Sequence, residues 1–320
     1  MKNLFKLSLF VFFFQVWASS EAQTWEKTFD TPTHDNLVKT IPLPEGKTVL
    51  ITNFVPQNSN YQLKNRIIIL DKNGKVDKER ILVASDFILG LDTSLSYLYT
   101  TSGFYNPDSQ NFTFFAPLRL DTPLTTTNLF YQLDSNLKLI DFQYRDTLVD
   151  SIVQISDMKY SADKSYFTAF SFEPNLGFRG NFGWVDDSLN FKIEKLGFQL
   201  PSDTVLTDVP LSFLRDDKKQ FYIFSRGLDS LTNPTPFQLL KLDSNLNLLR
   251  RNFVFHPKKP NDFSLISIRT FANAHWIDDR SFFLVASDVT ELRAQPQLFR
   301  DIHLFVYSDH FVQLQYKRLH

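Results

Sequence analysis

Three adjacent acid pairs are the first residues that could do chemistry: Asp186-Asp187, Asp216-Asp217 and Asp278-Asp279. Paired carboxylates can hold calcium or divide acid and base work between them. These lack the Asp-x-Asp-x-Asp-Gly spacing that wraps oxygens around calcium, so they read as turn residues and no metal site is expected. Carboxylates assembled across distant strands could still cleave a glycosidic bond, but spacing along the chain does not reveal such a pair. The six histidines are scattered. His303 and His310 flank one turn at a spacing that does not converge on a metal, and His275 beside Trp276 reads as a packed side chain. The chain has no Gly-x-Ser-x-Gly elbow, no His-Glu-x-x-His and no P-loop. Gly177, Gly180 and Gly183 recur every third residue, but no helix follows, which points to a loop and not a phosphate cradle. No cofactor is expected. With no cysteine, disulfides, thiolate catalysis and thiol-linked lipid anchors are excluded.

Aromatic and arginine side chains are the other candidates. The stretch from Gly103 to Thr127 holds Tyr105, Phe112 and Arg119, and the stretch from Glu173 to Trp184 holds Phe178, Arg179 and Trp184. Arg226 and Arg293 fall in or beside the corresponding stretches further on. Rings and guanidinium groups gathered on one rim suit stacking on sugars or anchoring a peptide. These eight residues are the expected ligand contacts.

The elements that must position them announce themselves by repetition. Leu242-Asp243-Ser244-Asn245-Leu246-Asn247-Leu248 nearly duplicates Leu133-Asp134-Ser135-Asn136-Leu137-Lys138-Leu139. Related strings start at Leu70 and Val185, with a degraded copy at Tyr307. Asp, Ser, Asn and Gly between alternating apolar runs mark β-hairpins. A second set of corners interleaves with the first, at Leu43–Lys47, Leu91–Ser94, Ser161–Ser165, Arg215–Lys219 and Ile277–Arg280. From second-set to first-set corner the offsets are 26 residues (Glu45 to Asp71), 23 (Asp163 to Asp186), 26 (Asp217 to Asp243) and 29 (Asp279 to Ser308), with 42 from Asp92 to Asp134.

Two hairpins per unit make a four-stranded antiparallel sheet, and its repetition predicts an all-β propeller. Five blades are expected, at about 40–82, 84–148, 151–200, 204–256 and 263–320. A sixth blade hidden in the long second unit, or a pair of β-sandwiches, are the rival architectures. Trp25–Phe29 reads as an orphan outer strand. Tyr160-Ser161-Ala162-Asp163-Lys164-Ser165-Tyr166-Phe167 resembles the Ser-Pro-Asp-Gly-Lys corner of TolB-type and WD40-like propellers. Here Ala162 replaces the proline and the glycine is absent, so the resemblance implies the fold and transfers no functional residue. The Asp-Ser-Asn corners are similar to repeats of exported bacterial propellers.

The net charge of −1 leaves no basic excess to neutralise phosphates, so nucleic acid is not an expected partner. Lys2 and Lys6, the apolar run from Leu7 to Ala18 and Ser20-Glu21-Ala22 form a secretory signal pattern, with cleavage expected after Ala22. The expected organisation is a signal peptide over 1–22 and one propeller domain over 23–320, exported to the periplasm or the exterior, with no membrane span after cleavage. The functional expectation is a binding module that engages a protein or glycan through its aromatic loops without chemistry. The alternative is a carbohydrate-active hydrolase or lyase with carboxylates at the mouth of the central channel.

Overall fold

Along β2 buried and less buried residues alternate, and in β3 burial becomes nearly continuous. That is the pattern of strands covered on both faces. The computed structural model describes residues 34–55, 63–88, 96–121, 124–145, 152–161, 164–173, 177–195, 207–228, 234–254, 271–290 and 299–319. Five antiparallel sheets follow one another along the chain, the blades of a propeller. The first is β1 (His34–Pro42), β2 (Thr48–Val55), β3 (Lys64–Leu70) and β4 (Val76–Leu82). The second is β5 (Ser96–Leu98), β6 (Ser102–Asn106), β7 (Asn111–Asp121), β8 (Leu124–Leu133) and β9 (Leu139–Arg145). The third is β10 (Ile152–Ser161), β11 (Lys164–Glu173), β12 (Gly177–Val185) and β13 (Phe191–Lys195). The fourth is β14 (Thr207–Arg215), β15 (Phe221–Leu228), β16 (Pro234–Leu242) and β17 (Leu248–Val254). The fifth is β18 (Phe271–Trp276), β19 (Ser281–Thr290), β20 (Phe299–Ser308) and β21 (Gln313–Leu319). The only helices among the described residues are two single 3-10 turns, Pro44–Gly46 and Ala84–Asp86.

β5 and β6 are one inner strand with a break. Both pair with β7, and Tyr99 N and Thr101 N continue the ladder to Pro117 O and Phe115 O. Pro117 has no N–H to return. Thr100 instead binds the Asn53 amide in the first blade, which donates to Thr100 O at 2.9 Å and accepts from Thr100 N at 3.2 Å. The second blade is thus four-stranded like the others. Its first corner is Pro107–Gln110, whereas Leu91–Ser94 falls outside the described residues. From Asp108 to Asp134 the offset is 26 residues, matching the first and fourth blades. The 42 residues from Asp92 to Asp134 therefore include the whole inner strand, and no sixth blade is needed.

The first strands of successive blades pack on one another, β1 on β6, β6 on β10, β10 on β14 and β14 on β18. They line the axis. The spaces between blades are filled by aromatic-rich apolar clusters. Phe182 of the third blade lies edge-on to Phe221 of the fourth at 4.7 Å between ring centroids, and Tyr222 meets Phe282 of the fifth at 6.1 Å. Much of the chain's phenylalanine content serves this packing among the described residues. The triple-glycine stretch is strand β12, not a loop, and at Gly183 any Cβ would collide with the ring of Phe167. Trp25–Phe29 lies outside the described residues.

Candidate functional site in the central channel

Inner strands β1, β10 and β14 each carry a β-bulge at the same level. Register slips between Leu37 and Lys39, between Ile155 and Asp157, and between Pro210 and Ser212. A bulge re-aims the side chain that follows it, and each of these is followed by a polar residue: Lys39, Asp157 and Ser212. Ser102 follows the break in the second blade's inner strand. Strand irregularity therefore concentrates polar side chains on the axis.

These groups bond one another. Lys39 Nζ donates to Asp157 Oδ1 at 2.6 Å, to Met158 O at 2.7 Å and to Ser102 Oγ at 3.5 Å. Ser212 Oγ donates to Asp157 Oδ2 at 2.7 Å. Lys159 Nζ stands 3.4 Å from the same Oδ2 and donates to Ala274 O at 2.9 Å. All five blades contribute a group to this hub. Asp157 is 4 % exposed. Burial alone would raise its pKa, but Lys159, Lys39 and the Ser212 hydroxyl outweigh burial and hold it at about 2. Burial pushes Lys159 below the usual lysine value against the pull of Asp157. His275 on β18, stacked on Phe283, is likewise lowered by burial and then by Lys159. At neutral pH the hub holds an anionic carboxylate and a neutral imidazole.

Towards the mouth of the channel, two further acids sit on inner strands. Asp35 on β1 pairs with Phe54, three positions before the bulge residue. Asp208 on β14 pairs with Gly227, three positions before its own bulge residue. They share one register on two different blades, at the end where the blades are linked. Among the described residues, no three His, Asp or Glu side chains gather as a metal site.

The eight expected contact residues do not form one rim. Arg119, Phe178, Arg179 and Arg226 lie on strand segments next to the second-to-third strand hairpins, at the blade-link end. Arg119 reaches over the ring of Tyr97 at 5.7 Å. Tyr105, Phe112 and Trp184 adjoin the Asp corners at the opposite end. Phe112 is 1 % exposed and belongs to the core, with Tyr105 packed on it at 5.1 Å. Trp184 is half-buried beneath the Lys164 ammonium at 4.3 Å. Arg293 is outside the described residues. Lys39, Asp35, Asp157, Lys159, Asp208 and Ser212 were missed. Their signal was a polar residue breaking the apolar run of a first strand, as in Ile155-Ser156-Asp157-Met158-Lys159.

No protein-family model matches this chain, and no curated protein matches it in sequence. Its structure is similar to that of the Hadza microbial sialidase Hz136, with TM-score 0.58 and 11% identity over 88% of this chain and 58% of that one. The chain therefore spans a little over half of the sialidase's length. A B. subtilis levansucrase (TM-score 0.47, 10% identity, 93% of each chain) and the GH43 protein BlXynB of Bacillus licheniformis (0.47, 10%, 88% and 56%) are also similar. The five-bladed fold is what the first of these shares. No family match supports the TolB or WD40 resemblance. The expectation of a loop-borne binding module is corrected. The supposed loop over 103–127 is strands β6, β7 and the start of β8, its Phe112 is core, and the solved structure that shares the fold is named a sialidase, not a binding module.

Proposed function

We propose that this protein is a glycoside hydrolase whose active site opens at the blade-link mouth of the channel, between β1 and β14. The observation that carries the reading is the equivalent register of Asp35 and Asp208 on two axis-lining strands, above an ordered polar floor. Glycoside hydrolysis needs two carboxyl groups, one to protonate the leaving oxygen and one to activate water or attack the anomeric carbon. Asp157 is unsuited to the first task, because a carboxyl that titrates at about 2 holds no proton to give at neutral pH. The acid and the base or nucleophile are therefore assigned to Asp35 and Asp208. Asp157 braces the strands beneath them. The sialidase that shares the fold is, by its name, an enzyme of glycans, which agrees with this reading. The secretory-type pattern of residues 1–22 supports an activity outside the cytoplasm.

The test is release of reducing ends from a panel of plant, microbial and host oligosaccharides. At least one should be cleaved, and Asp35→Asn and Asp208→Asn should each lower kcat by about 10²–10⁴-fold with the fold intact. Cleavage by the wild type that survives both substitutions would remove the assignment.

A further inference from the structure

Among its described side chains, the hub on the axis sets two amino groups, those of Lys39 and Lys159, against one carboxylate, that of Asp157. His275, the other titratable group facing Lys159, is kept neutral. The two lysines are not equally served. All three N–H bonds of Lys39 have partners, and its contact with Asp157 is the short one. Lys159 has one hydrogen bond to Ala274 O, a longer approach to Asp157 Oδ2, and the ring of Phe213 at 5.6 Å. Among the described residues its ammonium has no third polar partner. Its side chain is 23% exposed, so the head is neither sealed in the core nor bathed by bulk water. A partly desolvated cation with a spare donor is stabilised by an anion more than by any neutral group.

We infer that Lys159 forms an anion subsite on the channel floor that receives the carboxylate of an acidic sugar. This inference rests on the hydrolase reading and names its substrate class. The acidic residue of the glycan would be held below the level of Asp35 and Asp208, with the bond to be cleaved facing the mouth. Neutral sugars of the same size would leave the Lys159 donor without its partner, the kind of mismatch that polar sites penalise most.

The experiment is binding of glucuronate, galacturonate and N-acetylneuraminate to the whole protein, each against glucose or galactose at matched ionic strength, followed by titration calorimetry. Acidic sugars should bind at least about tenfold more tightly than neutral ones. Lys159→Gln, which leaves the Lys39–Asp157 pair intact, should bring the two classes to parity. Equal binding of acidic and neutral sugars by the wild type, or no binding of either, overturns the inference. So does equal binding of acetate and chloride, which would make the subsite a simple anion hole. The two readings fail separately. Cleavage of neutral glycans without preference for acidic ones sinks the subsite and leaves the hydrolase. Uronate binding without cleavage of any glycan sinks the hydrolase and leaves the subsite.

Discussion

Asp157→Asn would leave Lys39 and Lys159, both largely withdrawn from water, without their buried carboxylate. Removing one partner of a buried pair costs about 3–5 kcal/mol, because the remaining charge loses its compensation. The cost depends on pH in a way that follows from the folded pKa. Asp157 titrates at about 2 when folded and at the ordinary 3.8 when unfolded. A depressed carboxyl contributes stability above the unfolded value and loses it as pH falls through the folded one. Its contribution, about 2 kcal/mol, is thus complete above roughly pH 4 and gone near pH 2. Denaturant titrations should show a wide gap between wild type and Asp157→Asn at pH 7. That gap should narrow as pH falls from 4 towards 2. A gap of constant width would mean that the carboxylate is not the group that matters.

Each third-to-fourth strand corner is built by one side chain. Asp71, Asp134, Asp186 and Asp243 each accept, through Oδ1, from the backbone N–H two and four residues on, at 2.8–3.0 Å. Ser308 does the same more loosely at 3.3 and 3.2 Å. The residue three places on has positive φ: Gly74, Leu137, Leu189, Leu246 and Phe311. A left-handed leucine is strained by about 1–2 kcal/mol, yet Leu137, Leu189 and Phe311 are nearly or wholly buried. Loss of a buried leucine side chain costs about 2–5 kcal/mol, so packing outweighs strain. Leu189→Gly should therefore destabilise by about 2–4 kcal/mol, despite relieving the backbone. Lys219 has φ 61 at an exposed corner between β14 and β15, so Lys219→Gly should stay within about 1 kcal/mol of the wild type. Equal losses in thermal melts of the two variants would show that the strain, not the burial, decides. Such corners were legible in the sequence because every bond in them spans four residues or fewer. The second blade's first corner was not, because Pro107–Gln110 lacks the recurring string and its neighbour Phe112 resembles a loop aromatic until the core is seen.

Across the whole molecule, the apolar packing runs one way round. One cluster joins the first blade to the second, another the second to the third, another the third to the fourth, and a fourth the fourth to the fifth. Among the described residues none joins the fifth to the first, and on the first blade Ile68 and Leu70 are buried outside all four. The axis supplies what that seam lacks. Lys39 of the first blade grips Asp157 and Met158 O of the third, and Lys159 of the third donates to Ala274 O of the fifth. These bonds link residues 115 to 119 apart in sequence. No local pattern could have shown them, and the bulges shift the polar residues out of the alternation that identifies a strand. The blades could be read because their signals are local; the channel could not, because it exists only once the ring is closed. Lys39→Met tests whether the axis holds that closure. It leaves Asp157 with Lys159 and Ser212, so the carboxylate keeps a cation and a hydroxyl while the tether from the first blade is cut. Hydrogen exchange should then rise first in β1–β4 and β18–β21, with β7, β11 and β15 protected as before. A uniform rise over all five blades would mean that the hub stabilises the molecule generally and that the seam is closed by apolar contact after all.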